Sequence, residues 1–369
     1  MCLKFTALEI GSGDAFLIED GDKKYLFDSG GNKTLIINLL KKKKIEKLDL
    51  AICSHNDIDH ANGFIGLLNS NIEIEEIWLP GDWASILKFV KDGRIRPHQI
   101  IHYLSDKIYS ENCDKNDYSR NKLFDDKLSE PIENFEDELS WFSEMEDSDF
   151  SHMVFLRWRY WCEEDERFYH HILEHYGTSL LNLQLNLKRI SDIVRLAYQR
   201  GCKIRWFEPT NYCTNKDVAY GFRVLNAVQM ASVKRLKDTY SFMQMMTLTK
   251  ENEYSLVFEY IKSDTPVIRF SADSNCTCQS TTYDNSIIVT APHHGSEANA
   301  NVYSAIQGNS IIWVRSDGKS RKRPCTDFKK LNNKYCLACY NKNFKQEIQF
   351  EYDFSLKAWT WQCGNKCGC

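Results

Sequence analysis

The chain has no apolar run long enough to cross a bilayer, and its first residues lack the charged-then-apolar pattern of a secretory leader. Those two absences set membrane and export classes aside and lead to the expectation of a cytoplasmic protein with no membrane partner. No internal repeat recurs at solenoid periods, which sets repeat architectures aside. Charge of one sign is lacking too. With 47 Lys and Arg against 51 Asp and Glu, the net charge of −4 gives no global pull toward nucleic acid, so any basic surface must be local. What is present is length and aromatic content: 369 residues, 13% of them Phe, Trp or Tyr, allow one large cored domain with insertions, or two domains. Fourteen cysteines in a cytoplasmic chain argue for thiols or metal ligands before disulfides.

The most informative stretch is Ser54-His55-Asn56-Asp57-Ile58-Asp59-His60. It follows Leu48-Asp49-Leu50-Ala51-Ile52-Cys53, which reads as a buried strand, and precedes Ala61 to Leu68, which reads as the start of a helix. Two imidazoles and two carboxylates are thus concentrated in a strand-to-helix loop. Alternate side chains of extended backbone share a face, so such a turn can aim nitrogen and oxygen ligands at metal ions. A polar loop that merely caps the next helix would need one such residue and not four.

The framework around this loop reads as α/β. Lys4–Ile10, Ala15–Glu19 and Lys24–Asp28 are predicted strands, a helix is predicted from Thr34 to Lys44, and Glu75–Pro80 is a further strand. Strands joined partly by hairpins and partly by helices suggest a sandwich of mixed sheets with outer helices. The pattern changes from about Ser85 to Leu187. Between Ser110 and Phe150 there are 14 Asp or Glu against four Lys or Arg, and the segment that follows is aromatic and reads as helical. We read residues 1–84 and 188–325 as the two halves of the framework, 85–187 as a helical, acidic insertion, and 326–369 as a C-terminal hairpin and cysteine-rich tail. The six histidines from His98 to His175 lack a spacing that ties them to strands, and they read as packed or surface residues. The acidic stretch reads as a solvated face; the alternative is that it covers a basic substrate groove or meets a regulatory partner.

Regular order returns with a helix over Ile190–Arg200 and strands over Lys203–Phe207, Tyr254–Tyr260, Pro266–Ser271, Ser286–Ala291 and Ile311–Val314. Asp28, the His55–His60 loop, Asp273 and His293-His294 each follow an apolar strand. Strand ends on one sheet edge converge, which is where open α/β folds bind ligands. Together these residues could hold two divalent ions, a pair that activates water at neutral pH and neutralises charge on a scissile phosphate. Asp273 suits the role of a carboxylate shared between the ions.

These motifs, in this order, resemble the metallo-β-lactamase superfamily, whose HxHxDH signature appears here as His55 to His60. The chain is most similar to the soluble domain of ComEC-type DNA-uptake proteins and their stand-alone relatives. The likeness rests on Gly11-Ser12-Gly13-Asp14, Asp28-Ser29-Gly30-Gly31, Ser54 to Gly63, Asn252 to Val257 and Pro292 to Ser296, and covers roughly residues 3–83 and 188–325. The resemblance implies an αββα sandwich with a dinuclear site. His55 and Asp57 would bind one ion, Asp59 and His60 the other, and Asp273 would bridge them. His293 would complete the second ion's ligand set ahead of His294, and Asp28 would orient a ligand histidine.

Two positions depart from the family pattern. Glu208-Pro209 stands where relatives often carry His-Pro, so Glu208 either replaces that ligand or leaves the first ion short of one. Arg323-Pro324 replaces a second His-Pro; an arginine there would clamp a phosphate, with Lys319, Arg321 and Lys322 near it, or else the loop is simply basic and exposed. Asp57 in place of a histidine makes the site richer in oxygen, which favours Mn²⁺ or Mg²⁺ over Zn²⁺ without excluding zinc. In the tail, Cys336, Cys339, Cys363 and Cys367 have a spacing that suits a structural zinc; loose thiols are the alternative. The functional expectation is a metal-dependent nuclease or phosphodiesterase acting on DNA, with Asp59, Asp28 and Arg323 serving the chemistry. Stand-alone relatives look like regulated effectors of bacterial defence, and the acidic insertion would then answer to a regulatory protein or protease. The alternatives are a hydrolase of small phosphodiesters or other esters, and a binding protein with a decayed metal site.

Overall fold

The computed structural model describes residues 2–92, 185–210, 212–231, 255–275, 281–316, 323–337, 347–364 and 366–367. The acidic stretch, the histidines from His98 to His175, Lys319, Arg321, Lys322 and Cys339 lie outside the described residues. The chain divides into two units, one of residues 1–80, 196–229 and 251–369, the other of residues 81–195 and 230–250. In the second unit, the described parts are the helix Gly81–Asp92 and a helical segment that continues from residue 185. No helix among the described residues is long and apolar enough to cross a membrane.

The first unit is a mixed α/β structure built on two large sheets. The nine-stranded sheet runs in space Ala358–Cys363, Ile348–Asp353, Leu3–Ala7, Phe16–Asp20, Lys23–Phe27, Lys47–Ile52, Glu73–Pro80, Lys203–Pro209 and Ala227–Gln229. The seven-stranded sheet runs Lys334–Cys336, Ile311–Arg315, Ile287–Thr290, Thr265–Phe270, Phe258–Lys262, Phe222–Val224 and Lys216–Asp217. Each sheet has a parallel centre. In the first, Lys23–Phe27, Lys47–Ile52, Glu73–Pro80 and Lys203–Pro209 all point the same way. In the second, Thr265–Phe270, Ile287–Thr290, Ile311–Arg315 and Lys334–Cys336 do so. Parallel strands are covered on both faces and therefore read as continuous apolar runs. Leu50 and Ile52 face the intersheet core while Ala51 between them is also fully buried, on the opposite face.

That core is aromatic. Phe27 of one sheet stacks on Phe270 of the other with centroids 4.4 Å apart and planes 13° from parallel. Around that pair sit Phe5, Phe16, Trp78, Phe207, Phe222 and Phe258, all buried. Such ring pairs contribute about 0.5–1.5 kcal/mol each beyond the area they bury. A second cluster lies on the other face of the smaller sheet, where Ile287, Val289 and Trp313 meet Val302 and Tyr303 of the helix Val302–Ala305 and Phe328 of the helix Thr326–Lys330.

Two local features go beyond the sequence reading. The residues Ser255, Leu256 and Val257 precede the strand Phe258–Lys262 instead of opening it. Leu256 is drawn aside because its N–H donates to the Ser54 carbonyl at 3.0 Å, which ties this segment to the His55 loop. The C-terminal hairpin joins the large sheet, Ile348–Asp353 pairing antiparallel with Leu3–Ala7 in full register. Phe350, Tyr352 and Trp359 of that hairpin belong to the intersheet core.

Two glycines set how close the site-bearing segments approach. A Cβ on Gly13 would fall 1.5 Å from the Asp59 carbonyl oxygen, and Gly13 has φ +88°. The Gly11–Asp14 turn can therefore press against the metal-loop backbone, where the Asp14 N–H donates to Asp59 O at 3.1 Å. A Cβ on Gly66 would fall 2.0 Å from the Lys33 carbonyl oxygen, so the helices Lys33–Lys42 and Ile58–Leu68 cross in near contact.

Candidate metal centre

The candidate ligands all follow carboxyl ends of parallel strands. Asp28 follows Lys23–Phe27, His55 follows Lys47–Ile52, Asp273 follows Thr265–Phe270 and His293-His294 follow Ile287–Thr290. At several of these ends the backbone turns left-handed: φ is 56° at Asp28, 45° at Ala272, 46° at His293 and 53° at His294. Non-glycine residues hold such angles only where the surroundings demand it, and such positions cluster at functional sites.

Asp273 is at the middle. It is 2% exposed, and its two carboxylate oxygens face two different groups. Oδ1 lies 3.2 Å from His60 Nε2 and 3.7 Å from His294 Nε2. Oδ2 lies 3.7 Å from His55 Nε2 and 3.5 Å from His293 Nε2. On the Oδ1 side, His60 Nε2 and His294 Nε2 are 3.2 Å apart, and Asp59 Oδ2 is 3.3 Å from His294 Nε2. On the Oδ2 side, His55 Nε2 is 3.8 Å from Asp57 Oδ2. Two groups of buried and half-buried donors thus share one carboxylate. Asp14, His60, Asp273 and His294 can each bring one ligand atom within 4.8 Å of the others, as can His55, Asp57 and Asp273. Asp14 nevertheless faces the Nδ1 side of His294, away from the Nε2 atoms, and Asp59 stands where a cation bound by Nε2 would be.

The two histidine residues after Pro292 divide differently from the expected ranking. His294, buried to 1%, joins His60 and Asp59, while the half-buried His293 faces the His55 side. The expected order took the first histidine past the strand to be the better placed to reach the sheet edge. Residues 292–295 instead form a tight 3₁₀ turn with left-handed angles at both histidines. Glu208 lies within the strand Lys203–Pro209, opposite Val228, and is in neither donor group. His293 therefore occupies the side of Asp273 for which Glu208 was a candidate.

The histidines are aimed from behind by carboxylates. His60 Nδ1 is 2.8 Å from Asp28 Oδ2, and the same Asp28 accepts from the Ser54 N–H at 2.8 Å and the Ser54 hydroxyl at 2.7 Å. Ser54 Oγ is also 2.9 Å from His55 Nδ1. His294 Nδ1 is 3.0 Å from Asp14 Oδ1, which also accepts from the Ser316 hydroxyl. His293 Nδ1 is 3.2 Å from Asn299 Oδ1, and Asn299 Nδ2 donates to the Asp273 carbonyl at 3.3 Å. A carboxylate at Nδ1 places the proton there and leaves the Nε2 lone pair facing the centre. Asp14 and Ser316 are contacts behind the centre to which the sequence alone assigned no role. The only signal was the G-x-G-D turn for Asp14, and a polar residue just past the strand Ile311–Arg315 for Ser316.

The electrostatics agree with a cation site. Burial would raise the Asp273 pKa, but the charges of His60 and His294 outweigh it and hold the carboxyl well below the usual range. Burial would lower His60, yet Asp273 and Asp28 carry it well above 6.5. Burial opposes His294 in the same way, and Asp14 and Asp273 push it up to about 10. Asp59 is likewise held low, against its burial, by the His294 hydrogen bond and the charges of His60 and His294. His293 moves the other way: burial lowers it, Asp273 only partly offsets that, and the positive charge of Arg323 lowers it further. Arg323 is thus within electrostatic reach of the His293 side of the centre.

A metal ion fits these residues. Buried side chains supply imidazole nitrogens and carboxylate oxygens in converging sets, and His55 Nε2 has no hydrogen-bond partner among the described residues. A dry imidazole nitrogen without such a partner is costly unless a cation takes its lone pair. The tail cysteines do not make a comparable group among the described residues. Cys336 Sγ is buried and accepts from Arg315 Nε at 3.0 Å, Cys363 and Cys367 form no disulfide, and Cys339 lies outside the described residues.

Residues 8–144 of the chain match the family model of the metallo-beta-lactamase superfamily, which supports that fold. The matched span carries His55, Asp57, Asp59 and His60, whereas Asp273, His293 and His294 lie beyond it and join the site through the second sheet. No curated protein matches the chain.

Proposed function

We propose that this protein is a two-metal hydrolase that cleaves phosphodiester bonds, with DNA as its substrate. Metallo-beta-lactamase superfamily members are mostly metal-dependent hydrolases, and the match over residues 8–144 makes that broad class the starting point. The observation that carries the reading is the division of Asp273, whose Oδ1 faces His60 and His294 while Oδ2 faces His55 and His293. A carboxylate with a donor group on each oxygen is what a pair of adjacent cations requires.

Bound between these donors, two divalent ions would lower the pKa of water and neutralise the phosphoryl oxygens of a scissile diester. The rest falls to the chain. His55, Asp57, Asp273 and His293 hold one position, and Asp59, His60, Asp273 and His294 the other. Asp28 and Asp14 keep the Nδ1 protons of His60 and His294 and fix both rings. Three carboxylates in the donor set favour Mn²⁺ or Mg²⁺, with Zn²⁺ also accepted. Arg323, whose charge acts on His293, would bind a substrate phosphate. The acidic insertion within residues 85–187 would restrain the activity until a partner protein or a protease acts on it.

The test is cleavage of single- and double-stranded DNA with Mn²⁺, using intact protein and protein nicked between residues 110 and 150. Degradation by either form and none by His60→Ala is the expected result. No cleavage by intact or nicked protein in any divalent metal contradicts the DNA assignment. A parallel panel of nucleotide and chromogenic phosphodiesters then identifies a small-molecule hydrolase.

A further inference from the structure

The two most buried histidines of the centre are held by the same device, built twice from unrelated parts of the chain. Behind His60 stand Asp28 and Ser54, and behind His294 stand Asp14 and Ser316. Each serine follows a parallel strand, Ser54 shortly after Lys47–Ile52 of the large sheet and Ser316 directly after Ile311–Arg315 of the smaller one. Each serine hydroxyl donates to the carboxylate that faces the histidine Nδ1. Serine and carboxylate are buried in both cases, Ser54 to 1% and Ser316 to 2%.

We propose that Ser316, together with Arg315, is the positioning pair for His294. The inference rests on the two-metal reading above and adds residues to which that reading gives no role. Ser316 acts through the side chain. By donating to Asp14 Oδ1 it fixes the rotamer of the carboxylate that meets His294 Nδ1, and a fixed carboxylate fixes both the ring plane and the tautomer. Arg315 acts through the backbone. Its guanidinium, 1% exposed, donates from Nη1 to the His294 carbonyl at 3.3 Å and from Nε to Cys336 Sγ at 3.0 Å. The 3₁₀ turn that carries His294 is closed on the same side, for a Cβ on Gly295 would lie 3.0 Å from Arg315 Cδ. Adjacent residues of one strand end thus hold both the main chain and the side chain of a single ligand.

His55 stands apart from this pair. Its Nδ1 faces Ser54, whereas the Ser316 hydroxyl donates to Asp14 and Arg315 Nη1 to the His294 carbonyl. Loss of the Ser316 hydroxyl should therefore weaken one of the two metal positions and spare the other.

The experiment is equilibrium Mn²⁺ titration of the full chain, read as two binding constants, with circular dichroism as a check on folding. Ser316→Ala is expected to weaken one of the two constants about 10- to 100-fold and to leave the other within about threefold, the range seen when a partner behind a metal ligand is removed. Ser316→Thr, which keeps the hydroxyl, should restore the weakened constant. Arg315→Lys, which keeps the charge and loses the fork, should again weaken only that constant. If Ser316→Ala leaves both constants unchanged, or Ser316→Thr is as impaired as Ser316→Ala, the positioning role is wrong. Equal weakening of both constants also overturns it, since that signals a general packing defect. If the parent protein binds fewer than two ions, it is the two-metal reading that fails, and Ser316 then has no second position to set.

Discussion

His60 Nε2 and His294 Nε2 lie 3.2 Å apart, although 234 residues separate them in the chain and they arise from different sheets. Two imidazole nitrogens held this close, each with a carboxylate behind its ring, are a poor arrangement for a resting core and a good one for a shared cation.

The protonation of these rings makes metal uptake pH-dependent. His294 is raised to about 10 in the metal-free chain and His60 is also raised, so the pair holds an extra proton at neutral pH. A raised histidine contributes stability fully below its unfolded pKa of about 6.5, and the contribution is lost as pH climbs through the folded value. For His294 that window runs from about 6.5 to about 10. Metal binding needs the neutral imidazole, so loading at pH 7 should release protons and the apparent affinity should rise with pH. Calorimetry in buffers of differing ionisation enthalpy reads the release directly. Binding heats that do not depend on the buffer would contradict it.

Asp28→Asn tests the carboxylate behind His60. Asp28 accepts from Ser54 twice and faces His60 Nδ1 at 2.8 Å, all in a fully buried setting. The substitution is expected to cut metal affinity by about 10- to 100-fold and to cost about 1–3 kcal/mol of stability through imperfectly satisfied buried groups. Metal titration and urea unfolding measure the two effects. Unchanged affinity would remove Asp28 from the site.

Arg323→Ala should separate substrate binding from metal binding. Arg323 reaches His293 electrostatically and contributes no ligand atom to either donor group. Metal content should stay at the parent value while KM for a phosphodiester rises, by about tenfold for loss of one charge-assisted hydrogen bond worth about 1.5 kcal/mol. Loss of metal with no change in KM would reverse the assignment.

The intersheet core is the support for all of this. Phe270 stacks on Phe27 at 4.4 Å and also approaches Phe16 at 5.9 Å, just before the turn that carries Asp273. Phe270→Ala should destabilise the fold by about 3–5 kcal/mol and lower the urea midpoint accordingly. A shift below about 1 kcal/mol would show that the two sheets do not depend on this contact.

Much of the centre was legible because chemistry and position coincide in the sequence. The His55–His60 loop packs its donors into one strand-to-helix turn, and Asp273 and His293-His294 stand at apolar strand ends, where parallel sheets gather their ligands. The unread parts depend on contacts between distant segments. Asp14 meets His294 from 280 positions away and Ser316 meets Asp14 from 302 positions away, so no local pattern shows which side chain each one faces. The sides on which His293 and His294 fall are set by the left-handed turn at residues 292–295, which the residue types do not announce. Glu208 was weighed as a ligand by analogy of position, and the strand keeps it opposite Val228. The C-terminal hairpin was foreseen as a hairpin, but its place beside Leu3–Ala7 required knowing which sheet edge was open.

The central claim is that one carboxylate serves two metal positions, and metal content per chain tests it most directly. After Mn²⁺ loading and desalting, the parent protein should retain two ions per chain, His294→Ala about one, and Asp273→Ala none. A parent that holds less than one ion, or an Asp273→Ala protein that keeps both, would contradict the account.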